Sequence, residues 1–561
     1  MRLHQPICSA RVATIAAVIV SLSVSAFGQT GQSRLSTLTP AAAQGLAPQP
    51  GESVRRLSID DAVRLALEQN LGIKIQRIEP QIADVGVMQA RSFWAPNFST
   101  TVNKNSNSQP AQSAILPGSS AGTFSSGVGL NEQLPWGGSY AANWSNQRQT
   151  TTNILTNFSP LLQSTLNFNY TQPLLRNFSI DQIRQQVQNS KKSRELSEIQ
   201  LQGVVTGTLR SVKNAYWDLV YAINNLKAQQ QSLALSQQSL KDNQKRVEIG
   251  TMAPIDIVQA QAEVASNDQG VIIAEATIQQ AQDNLRALIL DPGTADFWTT
   301  AFDPTDAASF AERAIDIEAA VRNALDKRSD LRSAKNSLEQ SDINIKYYRN
   351  QILPDVNAAV NYGTFGVGGT QLSPVDLGLV ASGIVPSRAV VNERGFGSVL
   401  GDVLGSAYPQ WSVGVQIGYP IGASTAHANL ARVKLQYDQA QAQLKNLNLQ
   451  VATQVRSVGR NVQTNQKRVQ SARATRELQE KKLEAEEKKF AVGMSSPFFV
   501  IQAQRDLSLA RVVEIQAISD YNKSLVDFEA VQEVPLNGFG GTVVTAGSGA
   551  LQTGGTAIIS R

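Results

Sequence analysis

Apolar residues along this chain follow two different periods, and the two kinds of segment alternate through its length. Val205, Val212, Leu219, Leu226, Leu233, Leu240 and Val247 recur at every seventh position. Ile257, Val264, Val271, Ile278 and Leu285 keep the same spacing after a short break. A heptad sustained this long predicts long helices with left-handed supercoiling. The companion positions Thr208, Ala215, Ala222, Gln229 and Ser236 are small or polar. That departs from a filled two-stranded zipper and suits many helices packed side by side.

The same pattern returns 243 residues later. Asn448, Val455, Val462, Val469, Arg476, Leu483 and Phe490 occupy the shifted positions, followed by Val500, Leu507, Glu514, Tyr521 and Phe528. The breaks between the paired helices also match. One reads Arg246-Val-Glu-Ile-Gly250-Thr-Met-Ala-Pro254-Ile-Asp-Ile-Val258-Gln-Ala-Gln261, the other Lys489-Phe-Ala-Val-Gly493-Met-Ser-Ser-Pro497-Phe-Phe-Val-Ile501-Gln-Ala-Gln504. Gly and Pro between two helical patterns mark the tip of a helical hairpin. Self-similarity at a fixed offset marks a duplicated architecture.

Alternation with period two appears elsewhere. Ser164–Thr171, Val356–Tyr362 and Ser412–Tyr419 exchange apolar and polar residues at each step, which gives a strand one apolar and one polar face. A helix is expected from Leu57, with Ser58 or Asp60 as its cap, and a copy of it from Ile317, offset by 258. These run to matched exits at Trp94-Ala-Pro96 and Leu353-Pro354. Each half therefore reads as helix, β section, long helix, tip and return helix. The exits Gln172-Pro173 and Tyr419-Pro420 stand 247 apart rather than 243, which predicts a four-residue insertion inside the long helix. Residues 367–408 read as a long loop. The Pro135-Trp-Gly137-Gly138 turn, flanked by alternating stretches over 123–148, reads as an added hairpin without an assigned place.

The predicted organisation is a signal peptide at 1–28, a flexible lead-in at 29–56, a first repeat at 57–292 with its tip at 250–256, a linker at 293–316, a second repeat at 317–534 with its tip at 493–499, and a disordered tail at 535–561. Arg2 and Arg11 precede or open the apolar run Val12–Val24, which ends in small residues, as in a secretory signal. That run is too short to cross a bilayer as a helix. Cys8, the one cysteine, lies ahead of it, so the exported chain is expected to hold no disulfide. The full chain carries +5; without the two leader arginines 48 basic residues face 45 acidic ones, and no basic block suggests nucleic acid. For an exported chain the alternating strands allow a soluble sandwich or an outer-membrane barrel with a polar lumen. The aromatics Trp94, Phe98, Trp136, Tyr140, Trp144, Tyr170, Tyr362, Trp411 and Tyr419 cluster in these sections, as interface girdles require.

Catalysis finds no support. Outside the leader the only histidine is His427; there is no HExxH or P-loop, and the glycines at 363–369 do not form G-x-G-x-x-G. No catalytic residue, metal site or cofactor is expected.

The leader, the duplicated halves, the strands feeding long helices and the Gly-x3-Pro tips ending in Gln-Ala-Gln together resemble the TolC-like outer membrane efflux proteins. The resemblance spans roughly Leu57 to Val534. It implies a mixed α/β membrane protein and a homotrimer, in which each chain gives four strands to a shared 12-stranded barrel continued by a periplasmic α-helical coiled-coil barrel. It implies an exit duct of a tripartite efflux or type I secretion system. The partners implied are outer-membrane lipid, a periplasmic adaptor protein and an inner-membrane RND or ABC transporter. Gly250, Thr251, Met252, Gly493, Met494 and Ser495 match adaptor-contact tips. Asp256, Gln259, Phe499 and Gln502 match the periplasmic gate. Phe499 and Gln502 replace the two acids, and Ser495 the latch arginine, of well-studied members. An apolar constriction at Phe499 is the expected substitute, against simple packing of Phe498 or Phe499 between helices. An exported trimeric coiled-coil stalk or adhesin without a pore is the alternative to the duct.

Overall fold

The computed structural model describes residues 53–533, apart from 112–117, 295, 383, 385–386 and 423. The signal segment 1–28, the lead-in up to residue 52 and the tail 535–561 lie outside the described residues.

The chain opens with β1 (Ser53–Leu57), α1 (Ile59–Gln69) and α2 (Leu71–Ser92). Ser58 starts α1 as its cap, its Oγ accepting from the Asp61 N–H at 3.1 Å. The expected single helix is two. Asn70 (ψ 123°) breaks it, and its side chain caps α2 by accepting from Ile73 N–H at 3.0 Å. Four strands follow: β2 (Asn97–Gln109), β3 (Ser119–Gln133), β4 (Ser139–Thr151) and β5 (Phe158–Pro173). Next come α3 (Gln182–Glu248), α4 (Ile255–Ile289) and β6 (Thr300–Pro304). The second half holds α5 (Ile317–Lys327), α6 (Ser329–Gln351) and β7 (Asp355–Leu372). A distal segment carries α7 (Leu377–Ala381), β8 (Val390–Arg394) and α8 (Phe396–Leu404), before β9 (Pro409–Gly418), α9 (Thr425–Ala491) and α10 (Pro497–Val531).

α3 and α9 are each 67 residues and begin 243 residues apart. At 1.5 Å per residue each reaches about 100 Å. The four-residue insertion therefore does not lie inside the helix. It lies in the exit, where Gln182 stands nine positions after Pro173 but Thr425 only five after Pro420. That exit carries Asn177 at positive φ and a cluster in which Arg176 pairs with Asp355, and Arg184 Nε donates to Asp181 at 2.9 Å.

Half-way down, the partners of the long helices change. α2 and α6 flank the upper parts of α3 and α9, while α4 and α10 flank the lower parts. The ends of α2 and α4 meet where Asn70 Nδ2 donates to Leu288 O (2.9 Å) and Lys74 pairs with Asp291 (2.6 Å). At this level the chain has its largest apolar cluster, Leu57, Leu65, Val212, Tyr216, Leu219, Leu285 and Phe302 among it. β1 and β6 pair in parallel here. The end of the expected lead-in and part of the expected linker are thus ordered strand. Their pairing joins segments about 247 residues apart, so no local pattern signals it.

On α3 below this core the buried positions are Ala228, Ser232, Ser236 and Asn243, with the heptad leucines Leu226, Leu233 and Leu240 only half-buried. A helix with neighbours on two sides, here α4 and α10, needs two seams, and small residues let the second helix approach.

Candidate functional site: the helical tips and the two-faced sheet

Both tips are built alike from backbone upward. Gly250 (φ 75°) and Gly493 (φ 80°) follow α3 and α9 in the left-handed conformation that favours glycine. Thr251 N–H donates to Arg246 O (2.8 Å) and Gly250 N–H to Val247 O (2.9 Å); Met494 and Gly493 repeat this with Lys489 O (2.8 Å) and Phe490 O (3.1 Å). These paired bonds are Schellman caps, which satisfy the last carbonyls of each helix. The expected contact residues Gly250, Thr251, Gly493 and Met494 are exposed, while Met252 and Ser495 are half-buried. Ile249, Val492 and Met494 are each more than 70% exposed, an apolar surface at the end of a polar rod.

Of the expected gate residues, Asp256 is half-buried and Gln259 and Gln502 are exposed. Phe499 is also exposed, touching Phe498 edge-on at 5.6 Å between ring centroids. It remains 56% exposed among the described residues. Sequence reasoning missed the ion pairs just above. Arg505 of α10 pairs with Glu263 of α4, itself 5% exposed, and Lys482 of α9 pairs with Asp506 of α10 at 2.7 Å. The hydrogen bond from Lys482 holds the Asp506 carboxyl below its usual range, and bonds from Lys489 and Ser495 do the same for Glu486. Arg246 lies 4.4 Å over the Phe490 ring, joining the ends of α3 and α9.

At the other end the long strands form one antiparallel sheet in the order β2-β3-β4-β5-β7-β9, with short β8 beside the distal end of β7. The unplaced hairpin is β3 and β4, in the middle of this sheet. Among the described residues the sheet holds six long strands, where the resemblance implies four. Register puts Phe98, Leu130, Ala142, Phe168, Tyr362 and Trp411 in one row across all six. The same face carries Val102, Val128, Trp144, Leu166, Tyr170, Val360, Val413 and Ile417. Its charges lie at the ends, Glu132 below and Lys104 and Arg148 above. Between those rows run eight residues of β3, about 27 Å at 3.4 Å each, against a hydrocarbon band of about 25 Å. The opposite face is mostly Asn, Ser, Thr, Gln and Gly, for example Asn103, Ser125, Asn143, Asn167, Asn361 and Gln416, with Leu161, Phe365 and Val367 its large apolar residues toward the distal end.

The distal segment covers part of the apolar face. Val399 and Val403 of α8 are buried, and a Cβ at Gly366 or Gly368 would strike Val399. Beneath α8, Trp144 Nε1 donates to Ser164 Oγ (2.9 Å), which donates to Asn146 Oδ1 (2.7 Å). Arg388 fastens the segment by donating to the carbonyls of Ile154 and Ser373. The stretch read as a loop therefore holds ordered structure. No helix among the described residues is long and apolar enough to cross a membrane.

Residues 137–289 and 320–531, well over half of the chain, match the outer membrane efflux protein family. The chain belongs to that family. It is a TolC-like outer-membrane efflux channel protein of a Gram-negative cell, extending into the periplasm, and the family is one of channels rather than enzymes. Its fold is similar to that of the outer-membrane channel OprN (15% identity, TM-score 0.59, covering 85% of this chain and 89% of that one). It is also similar to the Campylobacter jejuni CmeC outer membrane channel (16%, TM-score 0.57, 85% of each chain) and to the Vibrio cholerae outer membrane protein VceC (15%, TM-score 0.57, 85% and 96%). No curated protein sequence matches the chain.

Proposed function

We propose that three copies of this efflux protein assemble into a passive duct, the exit of a tripartite efflux or type I secretion system. The sheet carries this reading. One face is an apolar band of membrane height and the other is polar and nearly chargeless, as a lipid-facing wall around a wet lumen requires. An open six-stranded sheet leaves two unpaired edges, which only further copies can cover.

The helices support the same assembly. Leu71, Ile75, Ile78, Ile82 and Val85 form a heptad stripe along α2, and each is 44–61% exposed. A stripe of that spacing fits a second helix, and in a ring that helix is α9 of the next copy, whose Leu435 and Leu449 are also exposed.

At the tips, the apolar ends and their glycines form the docking surface for a periplasmic adaptor protein, with an RND or ABC transporter behind it. Three copies of Phe499, at the entry side of each α10, ring the mouth and gate it by dewetting. Asp256, Gln259 and Gln502 line the same mouth. The Arg505–Glu263 and Lys482–Asp506 pairs hold the hairpins closed in place of an acidic ring and arginine latch.

Planar-bilayer conductance of the purified protein tests the duct. Discrete, long-lived openings from a trimeric particle are expected. A trimer that never conducts, even after Arg505→Ala and Phe499→Ser, overturns the duct in favour of a stalk without a pore.

A further inference from the structure

The sheet of one chain is a skewed parallelogram. In the row from Phe98 to Trp411, β2 continues one residue below the row, to Asn97, whereas β9 continues seven, to Gly418. The lower rim therefore drops six residues across six strands. Above the row the inequality reverses, with β2 reaching Gln109 and β9 only Pro409. The two outermost strands, β2 and β9, are exposed along their whole length. β2 runs away from the helices and β9 returns toward them, so the two edges of neighbouring copies would meet antiparallel.

Resting on the trimer reading above, we propose that β2 of one copy pairs with β9 of the next, closing an 18-stranded barrel with Asn97 opposite Gly418. A level lower rim then needs a step of six residues at each seam, or 18 residues around 18 strands. With about 3.4 Å per residue and about 4.8 Å between strands that step tilts the strands by about 35°, the value closed barrels adopt. No other sense of stagger works. A level seam gives no tilt, and the opposite step sets β9 against residues of α2. The faces agree as well. Phe98 meets Ile417, Thr100 meets Val415 and Val102 meets Val413 on the apolar side, while Ser99 meets Gln416 and Asn103 meets Ser412 on the polar side. Eighteen strands at this tilt enclose a backbone cylinder roughly 34 Å across, against roughly 23 Å for twelve. The added β3–β4 hairpin thus widens the exit of the duct.

Cysteine pairs in a Cys8→Ser background test the seam in the full-length protein. Asn103→Cys with Ser412→Cys, oxidised or bridged with a short bis-thiol reagent, is expected to give covalent trimers on non-reducing gels. Ser145→Cys with Ser412→Cys places the thiols where β4 would meet β9 if β2 and β3 lay outside the barrel, and is expected to give only monomer. Cross-linking at 145/412, or at neither pair in a particle of three copies, overturns the 18-stranded seam while leaving the trimer standing. A native mass other than three copies overturns the trimer reading, and the count of eighteen with it.

Discussion

Arg505 of α10 is ion-paired with Glu263 of α4, and the two residues face each other unequally: the arginine side chain is 54% exposed, the glutamate side chain 7%. Its second oxygen accepts only a long bond from Asn267, at 3.3 Å. Removing the arginine therefore strands a buried carboxylate, whereas Glu263→Gln leaves a neutral group beside a cation that water can reach. Arg505→Ala is expected to loosen the lower hairpins by about 1–3 kcal/mol, and Glu263→Gln by less. In single-channel recordings Arg505→Ala should raise open probability several-fold. Equal effects of the two variants would contradict the asymmetry.

Phe499→Ser should at least double single-channel conductance if three such rings form the constriction, because a dewetted gap refills when its wall turns polar (roughly two-fold or more). Phe498→Ser serves as the comparison, since its ring touches Phe499 edge-on and is equally exposed. Unchanged conductance in the Phe499 variant removes the constriction.

The two tip glycines hold positive φ without close neighbours, so an added Cβ meets no atom within 4 Å. Gly250→Ala and Gly493→Ala should each cost about 1 kcal/mol through backbone strain alone. Thermal unfolding should register this, with unitary conductance unchanged. Large side chains at the same positions should impair adaptor-dependent efflux in cells.

Tyr216 lies fully buried beside the junction of the helices, its hydroxyl 2.7 Å from Asp306 Oδ2 and 3.1 Å from Leu57 O. Burial, then the Asp306 contact, pushes its phenol above the usual value. Tyr216→Phe should cost about 1–3 kcal/mol, because Asp306 and the β1 carbonyl lose their donor. A raised phenol pKa favours the folded state while the group stays protonated. That contribution is complete below about pH 10 and declines above it, so alkaline melts should separate the wild type from the variant least at the highest pH.

Glu486 and Asp506 behave oppositely. Their carboxyl pKa values are lowered in the fold, so each contributes above its ordinary value and loses that contribution as pH falls through the lowered one. Gating is expected to stay flat from neutrality down to about pH 5 and to loosen only below about pH 4. A transition near pH 6 in bilayer recordings would point to other groups.

The long helices and tips were legible because their determinants are local: heptads, two glycines in matching places, two prolines. So were the strands at Ser164–Thr171, Val356–Tyr362 and Ser412–Tyr419, where every second residue is apolar. β2 was not, since Phe98 and Val102 are its only large apolar residues and Asn, Ser and Thr fill both faces. β1 and β6 carry no local pattern, and the break at Asn70 has no proline; its one nearby glycine, Gly72, lies inside the first turn of α2 against the capping side chain. The four extra residues were misplaced because the offset between two prolines says that length differs, not where. The tip pairs escaped notice because Glu263 and Arg505 are 242 residues apart and each looks like an ordinary solvated helix charge.

The change of partners half-way down α3 and α9 has a mechanical consequence. Above the Asn70–Leu288 junction these rods are gripped by α2 and α6; below it, by separate helices that end there. Torque applied at the tips is borne by the core around Tyr216 and Leu219, as by a collar on a shaft. Displacements of the lower hairpins therefore end at that collar, and the packing of α2 and α6 above it is left undisturbed.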